Sequence, residues 1–243
     1  MRDVDLDDGS IPEASTPEAN TRPRVGSALP LFLAWLLTQA LAAPALLAAG
    51  AMSDAPLAYR AGKLISAAVL LGIGFALLSG PRRREVRQAV GLVPSGLGTC
   101  LLCLAAGALL MALRNALAAA WPGDSLVPAS EYTALDIVTR PPWHRVLFAA
   151  DSTIIAPVTE EFLFRGYMLA GLRASWGPVA AGVVTSVSFV AVHYPAFLDP
   201  PLLLGFCAFA AAALAIRLRT GSLWPAIALH TGANGMIVLS SLL

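Results

Sequence analysis

Long apolar runs separated by short polar breaks dominate the chain and predict seven membrane-spanning helices. The runs are Ala28–Ala49, Lys63–Ser79, Gly96–Ala120, His144–Leu172, Pro178–Tyr194, Pro201–Leu218 and Ser222–Leu242. About 20 apolar residues cross the hydrocarbon core. The second, fifth and sixth runs are short and call for tilt, snorkelling or burial by neighbours. The fourth is long and contains Pro157. Its missing N–H predicts a kink there, or a break into two helices. The expected fold is an all-α polytopic membrane bundle.

Residues 1–25 break the pattern. They are rich in Asp, Glu, Pro, Ser and Thr and poor in large apolar side chains. Such a segment buries too little surface to offset its ordering entropy, so a disordered cytoplasmic tail is expected. Its acidic start lacks the basic region of a signal peptide, so the first run is expected to remain as an anchor. Residues 26–243 form the expected membrane domain. The stretch Glu131–Arg140 reads as a short surface helix before the fourth run.

Loop arginines set the expected orientation. Pro81-Arg-Arg-Arg-Glu-Val-Arg87 follows the second run and should be cytoplasmic. The tail with Arg22 and Arg24, the turn with Arg173 and the turn with Arg217 and Arg219 then fall on the same side. The amino terminus is expected inside and the carboxyl terminus outside.

Composition sharpens this picture. Of 243 residues, 57% are hydrophobic and 13% charged, about half the charged share of a soluble domain. A net charge of +1 says little about partners, while the lack of a basic, aromatic-studded patch argues against nucleic acid. Cys100 and Cys103 have a redox or metal spacing. With no second pair, they read as small apolar residues of a spanning helix. The composition is rich in alanine and arginine, with Lys63 as the single lysine. That is the balance expected of a bacterial cytoplasmic-membrane protein from a GC-rich genome.

Against this background a few polar residues stand out, because ionised groups are costly in hydrocarbon and usually functional there. Glu160, Glu161 and Arg165 lie in the fourth run, His193 ends the fifth, and His230 and Asn234 lie in the seventh. At 1.5 Å per residue, Glu160, His193, His230 and Asn234 sit about 12–24 Å above the cytoplasmic ends of their helices. That range surrounds the middle of the core, so convergence is possible. Glu161 and Arg165 are four apart and share a face, while Glu160 points about 100° away. Phe189 lies one turn before His193 and walls the same space.

One carboxylate held by an arginine and another facing histidines suit water activation. Donors from His230 and Asn234 suit a developing oxyanion. Together these are the parts of an amide hydrolase. Zinc held by Glu160, His193 and His230 is the rival use of the same atoms. No His-Glu-x-x-His pair is present, and no carboxylate is evident in sequence to orient the histidines. A non-catalytic scaffold or immunity protein is a further alternative. So is a proton-coupled transporter, although the paired broken helices expected of one are not seen. Bland readings exist for each residue: an ion pair with Arg165, an interfacial His193, and interhelical bonding by His230 and Asn234. His144, between Trp143 and Arg145, reads as an interface anchor. Phe162, Phe164 and Tyr167 read as packing residues, and Gly177, Ala181 and Gly182 as sites of close helix approach.

Taken in order, Glu160-Glu161-Phe-Leu-Phe-Arg165, Phe189-Val-Ala-Val-His193 and His230-Thr-Gly-Ala-Asn234 resemble the motifs of the CPBP family of intramembrane proteases, the CAAX-protease and bacteriocin-processing group. The resemblance covers about Asp151 to Leu242, with the motifs within 156–234. It implies a helical membrane fold with a cavity and an endopeptidase acting on a membrane-associated peptide or protein. It also implies water activation by Glu160 with His193, an oxyanion site at His230 and Asn234, and support from Glu161, Arg165 and Phe189. Metal-independent chemistry is the expectation, with zinc the alternative.

Overall fold

The computed structural model describes residues 25–79, 83–123 and 141–240. The expected amino-terminal tail and the expected Glu131–Arg140 helix lie outside them. Among the described residues every regular element is helical. In chain order these are α1 (Val25–Ala48), α2 (Ala55–Leu78), the short α3 (Arg83–Val90) and α4 (Leu97–Ala120). A composite rod follows: α5 (Pro142–Ala150), a π-helical stretch (Asp151–Ile155), α6 (Ala156–Glu161), a second π-helical stretch (Phe162–Met168) and α7 (Leu169–Val192). A 3-10 turn (Tyr194–Leu198), α8 (Pro200–Thr220) and α9 (Trp224–Ser240) complete the chain.

Large apolar side chains face outward: Leu102, Phe75 and Val179 are each more than 70% exposed. The interior instead holds Glu160, Glu161, Arg165, Asp151 and His230. This inside-out distribution matches a lipid surround, in which packing and buried polar contacts hold helices together. Among the described residues five helical stretches are long and apolar enough to cross a membrane, against the seven expected. The difference has two sources. The α9 helix has only 17 described residues. The composite rod Pro142–Val192 is one stretch of 51 residues, yet it is folded back on itself. Gly177, with φ 78° and ψ 172°, interrupts α7 just before Pro178. A straight helix would put Glu160 and His193 about 50 Å apart; they are 3.8 Å apart. The rod is therefore a hairpin, with Leu169 and Leu172 packed on Ala181. Gly177 serves this reversal through its positive φ rather than close helix approach. Gly182 does have the expected role, since a Cβ there would meet Leu214 at 2.9 Å.

Three other expectations need correction. The second span starts at Ala55, not Lys63: Asp54 caps it by accepting from the Leu57 N–H at 2.8 Å, with proline in the first turn. Lys63 is thus well inside the helix. Pro157 breaks nothing. The π stretch ahead of it closes with the Ala156 N–H donating to the Asp151 carbonyl five residues back. Pro157 cannot donate to the Thr153 carbonyl, and Thr231 Oγ1 of α9 donates to it instead at 2.9 Å. His144, expected at the interface, is 5% exposed and lies against Trp143.

The α4 and α9 helices run parallel and touch backbone to backbone. A Cβ on Gly107 would lie 1.9 Å from the Leu229 carbonyl oxygen, and one on Gly232 would lie 1.9 Å from that of Leu104. Two glycines make this seam possible. On the other side, Trp35 and Phe32 of α1 meet Phe164 edge-on, at ring separations of 5.8 and 6.0 Å. Phe162, Phe164 and Tyr167 are buried as expected, so α1 clamps the hairpin from behind.

Candidate active site

Glu160 and Glu161 stand at the end of α6, between the two π stretches. The π geometry adds a residue to a turn and re-aims the side chains that follow. Its carbonyls are tied to α9: the Asn234 amide nitrogen donates to the Ser152 carbonyl at 2.9 Å, beside the Thr231 bond. Thus the α9 residues flanking the seam also fix the segment that carries the glutamates.

Glu161 is fully buried. Its Oε1 accepts from Arg165 Nη1 at 3.2 Å and from His230 Nδ1 at 2.9 Å. Phe189 covers the guanidinium face, with 4.2 Å from the Arg165 carbon to the ring centroid. The Glu161–Arg165 pairing follows the sequence expectation. The bond to His230 does not: a carboxylate does orient one of the histidines, and it comes from a helix far away in sequence. Because a carboxylate only accepts, Nδ1 of His230 carries the proton. Its Nε2 is then a lone pair in the neutral ring and an N–H in the imidazolium.

His193 ends its helix with φ −96° and ψ 44°. Its Nδ1 donates to the Phe189 carbonyl at 2.7 Å, which leaves Nε2 to face the chamber. Glu160, 8% exposed, directs Oε2 between the two rings. That oxygen is 3.8 Å from His193 Nε2 and 3.9 Å from His230 Nε2, and it makes no hydrogen bond. These gaps exceed direct hydrogen bonds and approach the span bridged by one shared water. The side chain of His193 is 27% exposed against 6% for His230, so the chamber opens past His193.

Aromatic rings enclose both imidazoles. Phe189 lies 4.7 Å from His193 and 6.0 Å from His230; Phe206 lies 4.5 Å from His193, and Phe209 lies 4.6 Å from His230. Phe206 and Phe209 were not singled out in the sequence. Their spacing of three residues on one helix was the available signal. A cavity of about 200 Å³ adjoins His230 and Asn234 and is lined also by Met111, Arg114, Phe206 and Ile237. A second polar pair, Lys63 Nζ to Asp151 at 3.2 Å, lies where the hairpin begins, with Asp151 buried and Lys63 partly exposed. Hydropathy alone starts the second span at Lys63 and so does not reveal this pair.

Tetrahedral zinc, with ligands at 2.0–2.2 Å, brings its donor atoms to about 3.4 Å from one another. Glu160, His193 and His230 are more open than that by about 0.5 Å. No three His, Cys, Asp or Glu side chains among the described residues are arranged to hold a metal ion. To hold zinc, Glu160 would have to draw closer to both rings by about 0.5 Å.

Residues 142–236 match the Rce1-like family model, described as type II CAAX prenyl endopeptidase Rce1-like. The matched segment contains the hairpin, both histidines and Asn234, and it agrees with the family resemblance carried by the motifs. Neither the curated proteins nor the solved structures give a match.

Proposed function

We propose that this protein, whose residues 142–236 match the Rce1-like CAAX prenyl endopeptidase model, is an integral membrane endopeptidase that uses Glu160 as its base. The observation that carries the reading is Glu160 Oε2, unbonded and buried between two imidazole Nε2 atoms. Two neutral imidazoles oriented in this way and an ionised carboxylate would turn three acceptors toward one point. A water molecule donates only two hydrogens, so the set works when one proton resides on it.

In the proposed reaction, Glu160 removes a proton from the shared water as its oxygen attacks the peptide carbonyl. The carbonyl oxygen becomes negative. His230, as an imidazolium balanced by Glu161, donates Nε2–H to it. The second N–H of the Asn234 amide, the first being held by Ser152, is the other donor. The tetrahedral intermediate collapses, the C–N bond breaks, and the proton that Glu160 took from water passes by way of His193 Nε2 to the leaving nitrogen. The products are a carboxylic acid and an amine, which settle as carboxylate and ammonium. Glu161, Arg165 and Phe189 act as positioning groups, through His230 and the hairpin.

The substrate is a peptide or membrane-protein segment that enters from the bilayer. The apolar lining of the 200 Å³ cavity by Met111, Phe206 and Ile237 supports this. The family name refers to prenylated substrates; the arginine-rich, lysine-poor composition supports an unprenylated one in a bacterial membrane. The loop arginines support a cytoplasmic side for α3 and the Arg173 turn.

The test is cleavage of a fluorogenic peptide library by the purified protein, with and without a strong chelator, beside Glu160→Gln and His193→Ala. Cleavage that survives chelation and falls at least about 1,000-fold in Glu160→Gln is expected. Wild-type turnover in a folded Glu160→Gln variant sinks the proposal, and loss of cleavage to the chelator alone returns the site to zinc.

A further inference from the structure

Among the described residues, the buried Arg217 has no counter-charge. It is 4% exposed near the end of α8. Its Nε donates to the Arg165 carbonyl at 3.2 Å and its Nη2 to the Ala89 carbonyl at 2.9 Å. Gly91, at φ +90°, passes so close that a Cβ there would lie 2.6 Å from the guanidinium. The guanidinium is thus fixed in place by neutral acceptors. Elsewhere buried Arg165 is paired with Glu161, and the partly buried Lys63 with Asp151. No described carboxylate lies within ion-pair distance of Arg217 or of Arg173. Buried charges are normally paired, because desolvation is costly.

Arg217 and Arg173 line one cleft of about 290 Å³, together with Gln88, Ala89, Ala170 and Gly221. The same end of the bundle carries exposed Arg83, Arg84, Arg87 and Arg219, with Glu85 as the acid on α3. Two guanidiniums beside an amide, with no acid in the lining, form a receptor lacking its anion. A planar guanidinium suits the paired oxygens of a phosphate group. The cleft also lies at the end of the spanning helices, where headgroups gather. Basic pockets between spanning helices are a recurrent form of lipid headgroup site.

We propose that the Arg173–Arg217 cleft binds a phosphate group, of which an anionic lipid headgroup is the membrane source and free phosphate the soluble one. The ligand completes the charge balance of Arg217 and braces α8 against α3 and the hairpin. The site is separate from the peptidase chamber and stands whether or not Glu160 is catalytic.

The full chain is purified in a neutral detergent and titrated with phosphatidylglycerol, phosphatidylcholine or inorganic phosphate. Thermal unfolding and lipid retention in native mass spectrometry are read for each. Phosphatidylglycerol is expected to raise the Tm and be retained, while phosphatidylcholine is not. Arg173→Gln, at an exposed position, weakens the apparent affinity about fivefold. Arg173→Lys retains most of the affinity, and Arg219→Gln, outside the cleft, leaves it unchanged. A Tm rise with inorganic phosphate that Arg173→Gln also weakens supports the same site and identifies the soluble source. Equal losses in Arg173→Gln and Arg219→Gln would mean diffuse surface charge and overturn the proposal. So would equal retention of the two lipids together with no response to phosphate.

Discussion

Gly232→Ala tests how closely the chamber depends on the seam between α4 and α9. The added Cβ would lie 1.9 Å from the Leu104 carbonyl oxygen, where ordinary contact begins at 3.4 Å. The helices must then part by about 1.5 Å, since backbone on both sides leaves no flexible side chain to yield. His230 and Asn234 lie two residues either side of Gly232, so both shift with it. Overpacking of this kind costs about 1–3 kcal/mol. A displacement of about 1 Å in a reacting group costs on the order of 100-fold in rate. The assay pairs kcat/KM for peptide cleavage with the midpoint of thermal unfolding in detergent. Gly235→Ala, on the same helix with nothing within 4 Å of its Cβ, is the control. It should keep both properties, with a gain of at most about 1 kcal/mol from helix propensity. Wild-type turnover and stability in Gly232→Ala, or equal damage in Gly235→Ala, would refute the reasoning.

Three further outcomes are expected. Glu161→Gln leaves Arg165 buried without its carboxylate and should lower stability by about 3–5 kcal/mol, whereas Glu160→Gln should leave the melting curve close to wild type; an unchanged melt in Glu161→Gln contradicts the ion-pair account. Lys63→Met strands the buried Asp151 carboxylate and Asp151→Leu the partly exposed Lys63, so the former should destabilise more than the double variant does, as read in a double-mutant cycle of unfolding free energies. Thr231→Val removes the donor to the Thr153 carbonyl and should cost about 1–3 kcal/mol, while turnover falls less than in His230→Ala; a neutral melting temperature would show that the π stretch does not need this bond.

The glutamates and histidines were legible in the sequence because charge inside an apolar run is costly enough to mark itself. Glu161 with Arg165 also followed from a spacing of four residues. The bond from Glu161 to His230 was not legible: it joins groups 69 residues apart and depends on how α9 is rotated. Gly177 gives the same lesson. A glycine before a proline signals a break, but only the 3.8 Å approach of His193 to Glu160 demonstrates a full reversal. Pro157 misled because propensity describes an isolated helix, whereas here a π turn and a threonine from another helix supply what proline lacks. The Lys63–Asp151 pair was hidden by a boundary error of eight residues. Seam glycines Gly107 and Gly232 sit among many small residues, and nothing local separates them from glycines such as Gly72 and Gly98, which face open space.

The hairpin at Gly177 also governs the order in which the chamber can be assembled. Glu160 and His193 become neighbours once a single local loop has closed. His230 reaches them only when α9 seats against α4, the last described helix joining one inserted far earlier. A chain still being threaded into the bilayer therefore holds the carboxylate and one ring but not the second. If the three groups act together as proposed, cleavage has to wait for α9 to dock.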